Sequence, residues 1–170
     1  MASKLQKAGR VGWWLFNGVL FLFLLWIFAV NFLGFPYRLG VDGQKIRCLP
    51  WSVFVVKQSS SPEIQRGDLL QFRGQGVGHG FDGLLFVKMV GAIPGDHVVV
   101  RSNELFINGQ LHGQLSLIKT LKKQPGYFDR SFIVLPGEYL MLGTTPESFD
   151  GRYWGTVKKE QILGSAYPIF

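Results

Sequence analysis

The hydrophobic pattern of the chain begins with one long apolar run that no charged side chain interrupts. Residues 11–37 carry no charge, and residues 11–30 are almost wholly apolar, with Asn17 as the main interruption. About 20 apolar residues in a helix span a hydrocarbon layer of about 30 Å. A pair of tryptophans near the start of the run and a tyrosine at its end are typical of the membrane–water interface. The pattern predicts a transmembrane helix, which we assign to residues 11–35.

Basic residues precede this run and predict its direction across the membrane. Lys4, Lys7 and Arg10 lie before it, so the positive-inside rule leaves residues 1–10 in the cytoplasm and residues 36–170 outside it. The alternative is a cleaved signal peptide, whose apolar region is usually about 7–15 residues long and ends in small residues. The longer run here favours an uncleaved anchor. A buried core helix is less favoured because the run is not amphipathic.

The sequence after Pro36 predicts a β-rich domain. No long stretch has helical periodicity, and short β-branched and aromatic runs alternate with glycine-rich breaks. The predicted strands are residues 53–56, 69–72, 84–87, 97–101, 104–107, 133–135 and 139–142. Turns are predicted at Ser102-Asn103, Asn108-Gly109 and Pro136-Gly137. Because residues 36–170 suffice for one small hydrophobic core, we expect a single, mostly β domain.

Charge and composition argue against a nucleic-acid-binding protein. The formal net charge is +7, but the basic residues are scattered among acidic ones and form no arginine-rich helix. The one short basic cluster is typical of a solvated loop; it consists of Lys119, Lys122 and Lys123. The histidines lie on separate segments without the spacing of metal ligands; they are His79, His97 and His112. We therefore expect neither a metal nor a cofactor.

Three segments concentrate the residues that carry chemistry. The chain has one cysteine, Cys48, so it has no intramolecular disulfide, and such a residue in an exported domain is buried, paired with another chain or reactive. It begins the first segment, Cys48-Leu49-Pro50, which follows the apolar run. The other two are residues 86–96 (FVKMVGAIPGD) and residues 143–155 (GTTPESFDGRYWG).

In order and approximate spacing, these segments resemble the sequence boxes of the type I signal peptidase superfamily. Its members carry a Ser-Met-x-Pro nucleophile box after an N-terminal anchor, a Gly-Asp strand box, a lysine box ending in Pro-Gly-Asp, and a box ending in Arg-Tyr-Trp-Gly. The matching residues here are 48–50, 66–70, 88–96 and 148–155. The resemblance covers residues 46–165. It implies a compact signal-peptidase-like β catalytic domain behind one transmembrane helix, with peptidase activity.

One branch of the superfamily is the most similar. The conjugative-transfer (TraF-type) peptidases have a shorter Ser-x-Pro nucleophile box, and Cys48-Leu49-Pro50 has that spacing. The chain also lacks room for the large extra β domain of many housekeeping signal peptidases. The resemblance implies a single-pass protein of the bacterial inner membrane with a periplasmic domain. Its expected partners are lipid, an exported precursor, above all a conjugative pilin, and other components of a conjugation or secretion apparatus.

The resemblance also implies a role for each residue of the site. Cys48 is the nucleophile and its backbone N–H an oxyanion donor, Lys88 is the general base, and Ser148 orients the lysine amine. Asp150 and Arg152 match a structural salt bridge beneath the site. Further residues expected to support the site are Pro50, Gly95 and Asp96. Burial of Lys88 in its apolar strand disfavours the charged form, as a general base requires.

The chain departs from the superfamily at several positions. Cys48 replaces the nucleophilic serine. A thiol loses its proton more easily than a hydroxyl, and the resulting thioester reacts well with amines, so a Cys/Lys dyad is as compatible with ring closure of the product as with hydrolysis. The remaining departures are Ile46 where a second oxyanion hydroxyl is common, Gly151 for a serine, and Thr144-Thr145 for an Asp-Asn pair. Ser52 is a less favoured nucleophile because no proline follows it.

Two other functions stay open on this evidence. The first is a catalytically inactive relative that binds precursors or acts as a scaffold in a secretion or conjugation apparatus; the loss of the nucleophilic serine motivates it. The second is a housekeeping signal peptidase I, which the short nucleophile box disfavours. Retention of Lys88 and Ser148 favours an active enzyme over the scaffold.

Overall fold

The computed structural model describes residues 2–32, 34–59, 62–78 and 80–170. His79, one of the histidines considered above, lies outside the described residues. The side chains of Lys4, Lys7 and Arg10 also lie outside the description. The described chain divides into two compact units, with the division between Tyr37 and Arg38.

The first unit is a long apolar helix, α1 (Ala2–Phe32). Its segment Gly12–Ala29 contains no buried residue and is apolar and long enough to cross a membrane. The polar interruption at Asn17 is accommodated inside the helix, because its Nδ2 donates a hydrogen bond of 2.7 Å to the carbonyl of Trp13 one turn earlier. A polar side chain satisfied in this way is compatible with a hydrocarbon environment.

The regular secondary structure of the second unit is almost entirely β-strand, and the mostly β fold class predicted from the sequence is confirmed. The strands are β1 (Tyr37–Val41), β2 (Val53–Gln58), β3 (Leu69–Arg73), β4 (Leu85–Ala92), β5 (His97–Arg101), β6 (Glu104–Ile107), β7 (Gln110–Gln114), β8 (Arg130–Ile133), β9 (Glu138–Leu142), β10 (Thr156–Lys158) and β11 (Ile162–Pro168). Two short helical turns complete it, α2 (Gly151–Trp154) and a 3₁₀ turn (Lys159–Gln161).

The strands form two sheets. The larger has the order β1-β2-β11-β3-β4-β9-β10 and the smaller β7-β6-β5-β8. The predicted turns that join β5, β6 and β7 are present: Ser102 and Asn103 have φ of 53° and 65°, and Asn108 and Gly109 have φ of 52° and 81°. Positive φ at both central residues is what a two-residue hairpin requires, and asparagine and glycine tolerate it best.

One predicted strand is displaced. Residues 133–135 were expected to be extended, but β8 ends at Ile133. The next residue turns inward instead, because the N–H of Val134 donates to the carbonyl of Asp96 at 2.9 Å. Leu135 is then 57% exposed and leads into the Pro136-Gly137 turn.

The core lies against both sheets and positions β4 at the centre of the larger one. One buried cluster joins the sheets through residues that include Val98, Leu105 and Leu140. A second packs Leu70 and Phe72 of β3 against neighbouring strands. β4 pairs with β3 on one side and with β9 on the other, so side chains on its inner face are removed from water.

Candidate active site

β4 carries Lys88 with its side chain turned into the protein interior. Successive side chains of a strand point to opposite faces, so Lys88 shares a face with Phe86 and Val90. These two apolar residues pack in the cluster around Leu70 and Phe72. Lys88 pairs with Leu70 across the sheet and is only 2% exposed. The apolar sequence of the strand therefore buries the amine.

The Lys88 amine is held by a neutral group. Its Nζ donates a hydrogen bond of 2.9 Å to the Oγ of Ser148, which is itself fully buried. Within the described ranges the ion pairs are Arg66–Asp96 and Arg152–Asp150, so no carboxylate there pairs with the lysine. An opposite charge nearby is what stabilises a buried ammonium. In the described part of the chain, the polar partner of the buried Lys88 amine is thus a hydroxyl.

A buried ion pair holds the loop between β9 and α2, which contains Ser148. Asp150 is fully buried, Arg152 is 5% exposed, and Arg152 Nη2 lies 2.7 Å from Asp150 Oδ2. The carboxylate also accepts the backbone N–H of Gly143 at 2.8 Å. The guanidinium also donates to the carbonyl of Thr145 at 2.9 Å. The ion pair thus fixes both ends of residues 143–145, which we call the clamp loop.

The same ion pair keeps Arg152 charged despite its burial. Burial by itself lowers the pKa of Arg152. The hydrogen bond and the charge of Asp150 outweigh it, with smaller contributions from Tyr153 and Cys48, and the pKa lies above its ordinary value.

The clamp loop holds the backbone on both sides of Cys48. Cys48 is half-buried and lies in the segment between β1 and β2. The N–H of Thr144 donates to the Cys48 carbonyl at 2.8 Å. The Oγ1 of Thr145 donates to the carbonyl of Arg47 at 2.9 Å. Both peptide groups that flank Cys48 are therefore tied to the clamp loop.

Gly143 is the point at which the separate parts of the site meet. A Cβ atom added to Gly143 would lie 2.7 Å from the carbonyl oxygen of Cys48 and 2.6 Å from the Cβ of Ser148. Such separations are closer than van der Waals contact, so the backbone of Cys48 and the side chain of Ser148 both pack on the Gly143 Cα. The structure thus brings the backbone of Cys48 close to Ser148, the hydrogen-bond partner of Lys88.

Comparison with known proteins identifies the family. The family described as "Signal peptidase, peptidase S26" matches residues 12–170. The chain belongs to this signal peptidase family. Together with α1, membership of this family suggests anchoring in a membrane.

Individual relatives in the signal peptidase family match part of the chain. A probable signal peptidase I-2 from Synechocystis is 31% identical over 86 residues, which are 50% of this chain and 38% of the relative. Signal peptidase IB from Staphylococcus aureus is 32% identical over 94 residues, 46% of this chain and 49% of the relative. The chain therefore spans less than half the length of these curated relatives. The crystal structure of a signal peptidase I from Enterococcus faecalis is 27% identical with a TM-score of 0.41, covering 61% of this chain and 97% of that one.

Three further residues, Pro50, Gly95 and Asp96, were expected to support the signal peptidase site. Pro50 is exposed and follows Leu49, which is 2% exposed. Gly95 has a φ of 92° in the turn between β4 and β5. Asp96 in the same turn accepts the N–H of Ile93 at 2.8 Å and the side-chain N–H of an asparagine in the β6–β7 turn at 2.9 Å.

Asp96 links the two sheets through its charge. It forms an ion pair with Arg66, which precedes β3. Burial by itself raises the pKa of Asp96, but the hydrogen bonds from Arg66, Ile93 and Asn108 and the charge of Arg66 outweigh it, so the pKa lies below its ordinary value. Asp96 and Gly95 therefore stabilise the β4–β5 turn next to the strand that carries Lys88.

The other titratable groups considered above are dispersed. Across residues 2–32, 34–59, 62–78 and 80–170, no three His, Cys, Asp or Glu side chains are grouped so as to hold a metal ion. His97 Nε2 is 2.8 Å from the Oγ of Ser131 in the smaller sheet. Ser52 is buried, and its Oγ donates a hydrogen bond of 3.3 Å to the carbonyl of Phe170.

Sequence reasoning missed two structural contributions to the site. The Thr144-Thr145 pair was considered only as a departure from the family, whereas both residues contact the Arg47–Cys48 segment. Arg130 was not singled out. Its guanidinium donates to the carbonyl of Gly151 at 2.8 Å and to that of Arg152 at 3.1 Å, and so binds the carbonyl groups of α2. A cation at the end of a helix is a known stabilising pattern, but Arg130 is distant in sequence from the helix that it binds.

Proposed function

We propose that this chain is a membrane-anchored, signal-peptidase-like endopeptidase that matures an exported precursor through Cys48 and Lys88. The observation that carries this proposal is the buried hydrogen bond from Lys88 to Ser148, formed beneath the loop that holds the backbone of Cys48. A scaffold protein has no physical need for a buried amine. Burial of an amine without a charged partner lowers stability and is typical of a functional site.

The proposed first step is attack of Cys48 on the scissile carbonyl. The amine of Lys88 accepts the thiol proton as the sulphur–carbon bond forms and the carbonyl π electrons move to oxygen. The backbone N–H of Cys48 stabilises this oxyanion. Collapse of the intermediate breaks the carbon–nitrogen bond, and the Lys88 ammonium returns its proton to the departing amine. A thioester with Cys48 and the free N-terminus of the downstream segment result.

The proposed second step releases the acyl group from Cys48. Lys88 accepts a proton from the attacking group, and the thiol leaves with a proton. If water attacks, the product is a linear carboxylic acid. If an amine of the same polypeptide attacks, the product is cyclic and lighter by one water. The greater reactivity of thioesters towards amines supports ring closure as a second activity of this site.

We further propose that the precursor is a conjugative pilin and that the enzyme belongs to the TraF-type branch. The short Cys48-Leu49-Pro50 box supports this branch. The compact domain, in which the smaller sheet has four strands, is consistent with it. In this proposal residues 11–35 cross the bacterial inner membrane, residues 1–10 are cytoplasmic, and residues 36–170 lie in the periplasm. The homology to signal peptidase I enzymes keeps a housekeeping role as the second candidate.

The test is processing of precursors by the full chain in detergent. We expect cleavage of a conjugative pilin precursor, with Lys88→Ala and Cys48→Ala inactive and Cys48→Ser retaining part of the activity. Mass spectrometry distinguishes a linear from a cyclic product. Efficient cleavage of many unrelated exported precursors would select the housekeeping role. Equal activity of the unaltered chain and both alanine variants would place the catalytic groups elsewhere.

A second measurement needs no precursor. The rate of Cys48 alkylation is followed against pH in the unaltered chain and in Lys88→Ala. A thiolate present near neutral pH and lost with Lys88 supports coupling of the two groups. A slow thiol that Lys88→Ala leaves unchanged would favour the binding or scaffold function.

A further inference from the structure

The peptide group between Arg47 and Cys48 contains the oxyanion donor of the proposed reaction. A trans peptide is planar, and its C=O and N–H point in opposite directions. The carbonyl of Arg47 and the N–H of Cys48 belong to the same plane. Any contact that fixes the direction of this carbonyl therefore also fixes the direction of the N–H.

The hydroxyl of Thr145 makes that contact. Its Oγ1 donates a hydrogen bond of 2.9 Å to the Arg47 oxygen, across 98 positions of sequence. A hydrogen bond to the carbonyl also polarises the peptide group and strengthens its N–H as a donor. The position at which the superfamily often has a second oxyanion hydroxyl is Ile46 here, and its side chain has no hydroxyl to offer. The Cys48 N–H thus has to act without that second donor.

We propose that Thr145 is a positioning residue for the oxyanion: its hydroxyl orients and polarises the Arg47–Cys48 peptide whose N–H stabilises the tetrahedral intermediate. The inference rests on the proposed function of Cys48. Thr145 acts through this peptide and does not itself contact the reacting atoms.

The position of the Thr145 hydroxyl is set by the buried ion pair. The carbonyl of Thr145 accepts from Arg152 Nη2 at 2.9 Å and from the N–H of Ser148 at 3.2 Å. Arg152 is in turn held by Asp150. A chain of hydrogen bonds therefore runs from a rigid buried pair through Thr145 to the oxyanion donor.

Thr144 provides an internal comparison. Its backbone N–H holds the Cys48 carbonyl at 2.8 Å, but its hydroxyl is 3.4 Å from the same oxygen, at the long limit of a hydrogen bond. Loss of the Thr144 hydroxyl removes a contact of 3.4 Å to the peptide after Cys48, whereas loss of the Thr145 hydroxyl removes a shorter contact of 2.9 Å to the peptide before it. The two substitutions should therefore differ in effect.

The test uses the full chain in detergent and an internally quenched peptide with an Ala-x-Ala sequence before the scissile bond. We expect Thr145→Val to lower kcat about tenfold with KM unchanged, a smaller loss than removal of a direct oxyanion donor. Thr145→Ser, which keeps the hydroxyl, should restore most of the rate. Thr144→Val should lose less than Thr145→Val. Thr156→Val, which removes a hydroxyl from β10, is the matched control and should cleave at the unaltered rate.

A second readout separates positioning from collapse of the loop. Alkylation of Cys48 by iodoacetamide is a displacement that develops no oxyanion, so its rate should be unchanged in Thr145→Val. The inference is overturned if Thr145→Val cleaves at the unaltered rate, if Thr145→Ser is as slow as Thr145→Val, or if alkylation slows in parallel with cleavage. If the unaltered chain cleaves neither this peptide nor the pilin precursor, the proposed function is refuted, and the inference with it, before any threonine is changed.

Discussion

Replacement of Lys88 by methionine should abolish cleavage and raise the stability of the protein. Methionine is unbranched, apolar and close to lysine in length. At a position that is 2% exposed, it keeps the packing of the site while removing the amine. Ser148 then keeps its place between β9 and α2 but loses the donor at 2.9 Å.

The magnitude follows from opposing contributions. Removing a buried amine whose donors are incompletely hydrogen-bonded recovers a desolvation cost of about 3–4 kcal/mol, within the range for buried polar groups. Loss of the Lys88–Ser148 hydrogen bond, which leaves the Ser148 hydroxyl unsatisfied, destabilises the variant by about 2 kcal/mol. We therefore expect a net increase of about 1–2 kcal/mol in the free energy of unfolding. For a domain of this size the midpoint temperature of thermal unfolding, Tm, should rise by roughly 3–8 °C.

The assay is thermal unfolding of the full chain in one detergent, together with peptide cleavage. Lys57→Met is the matched control, because Lys57 is exposed on β2 and its substitution should change stability by no more than about 0.5 kcal/mol. A Lys88→Met chain that unfolds several degrees earlier would refute the argument that the buried amine is retained at the expense of stability. Undiminished cleavage by this variant would show that another group accepts the proton.

Two further predictions concern the clamp loop and the β4–β5 turn. Gly143→Ala should lower cleavage about 100-fold, because its Cβ would lie 2.7 Å from the Cys48 oxygen and displacements of about 1 Å at a site have effects of this size. The matched control is Gly43→Ala, whose Cβ meets nothing within 4 Å and which should cleave at the unaltered rate. Equal cleavage rates for the two variants would contradict the packing argument. Asp96→Asn should destabilise the chain by about 1 kcal/mol at pH 7. Because the pKa of folded Asp96 lies below the ordinary 3.8, the carboxylate stabilises above that pH and its contribution is lost as the pH falls through the lower folded value. The contribution is measured from unfolding curves of the unaltered chain and of Asp96→Asn between pH 7 and about pH 2.5. A difference in the free energy of unfolding that does not change with pH would contradict the charge argument.

The fold class could be predicted because local signals agree with it. Four strands could not be predicted; they are β1, β7, β10 and β11. Turn residues with positive φ, such as Asn108, mark the hairpins of the smaller sheet directly. β7 (QLHGQ) is polar, and β10 has three residues, so neither has an apolar alternation to detect. β11 pairs with β2 and β3, which lie far earlier in the chain. Pairing at that distance leaves no local trace in the sequence.

Part of the candidate site could likewise be predicted from the sequence, and part could not. The sequence of β4 alone does not decide whether Lys88 faces the core or the solvent, because the residues on both sides of it are apolar. The resemblance of residues 88–96 to the lysine box predicted a functional lysine, and the structure adds its burial and its bond to Ser148. The contact of Thr145 with Arg47 could not be predicted, because it joins two irregular segments whose relative position is set only by the complete sheet.

The buried Asp150–Arg152 pair is better explained by orientation than by stability. An apolar pair of similar volume often stabilises a protein as well as a buried ion pair does, since both charges are removed from water. Apolar side chains, however, provide neither an acceptor for the N–H of Gly143 nor a donor for the carbonyl of Thr145. With those two bonds lost, the clamp loop would have no fixed position, although Ser148 must reach Lys88 and Thr145 must reach the peptide before Cys48. The ion pair thus fixes one short loop, and this loop positions groups that come from three separate parts of the chain.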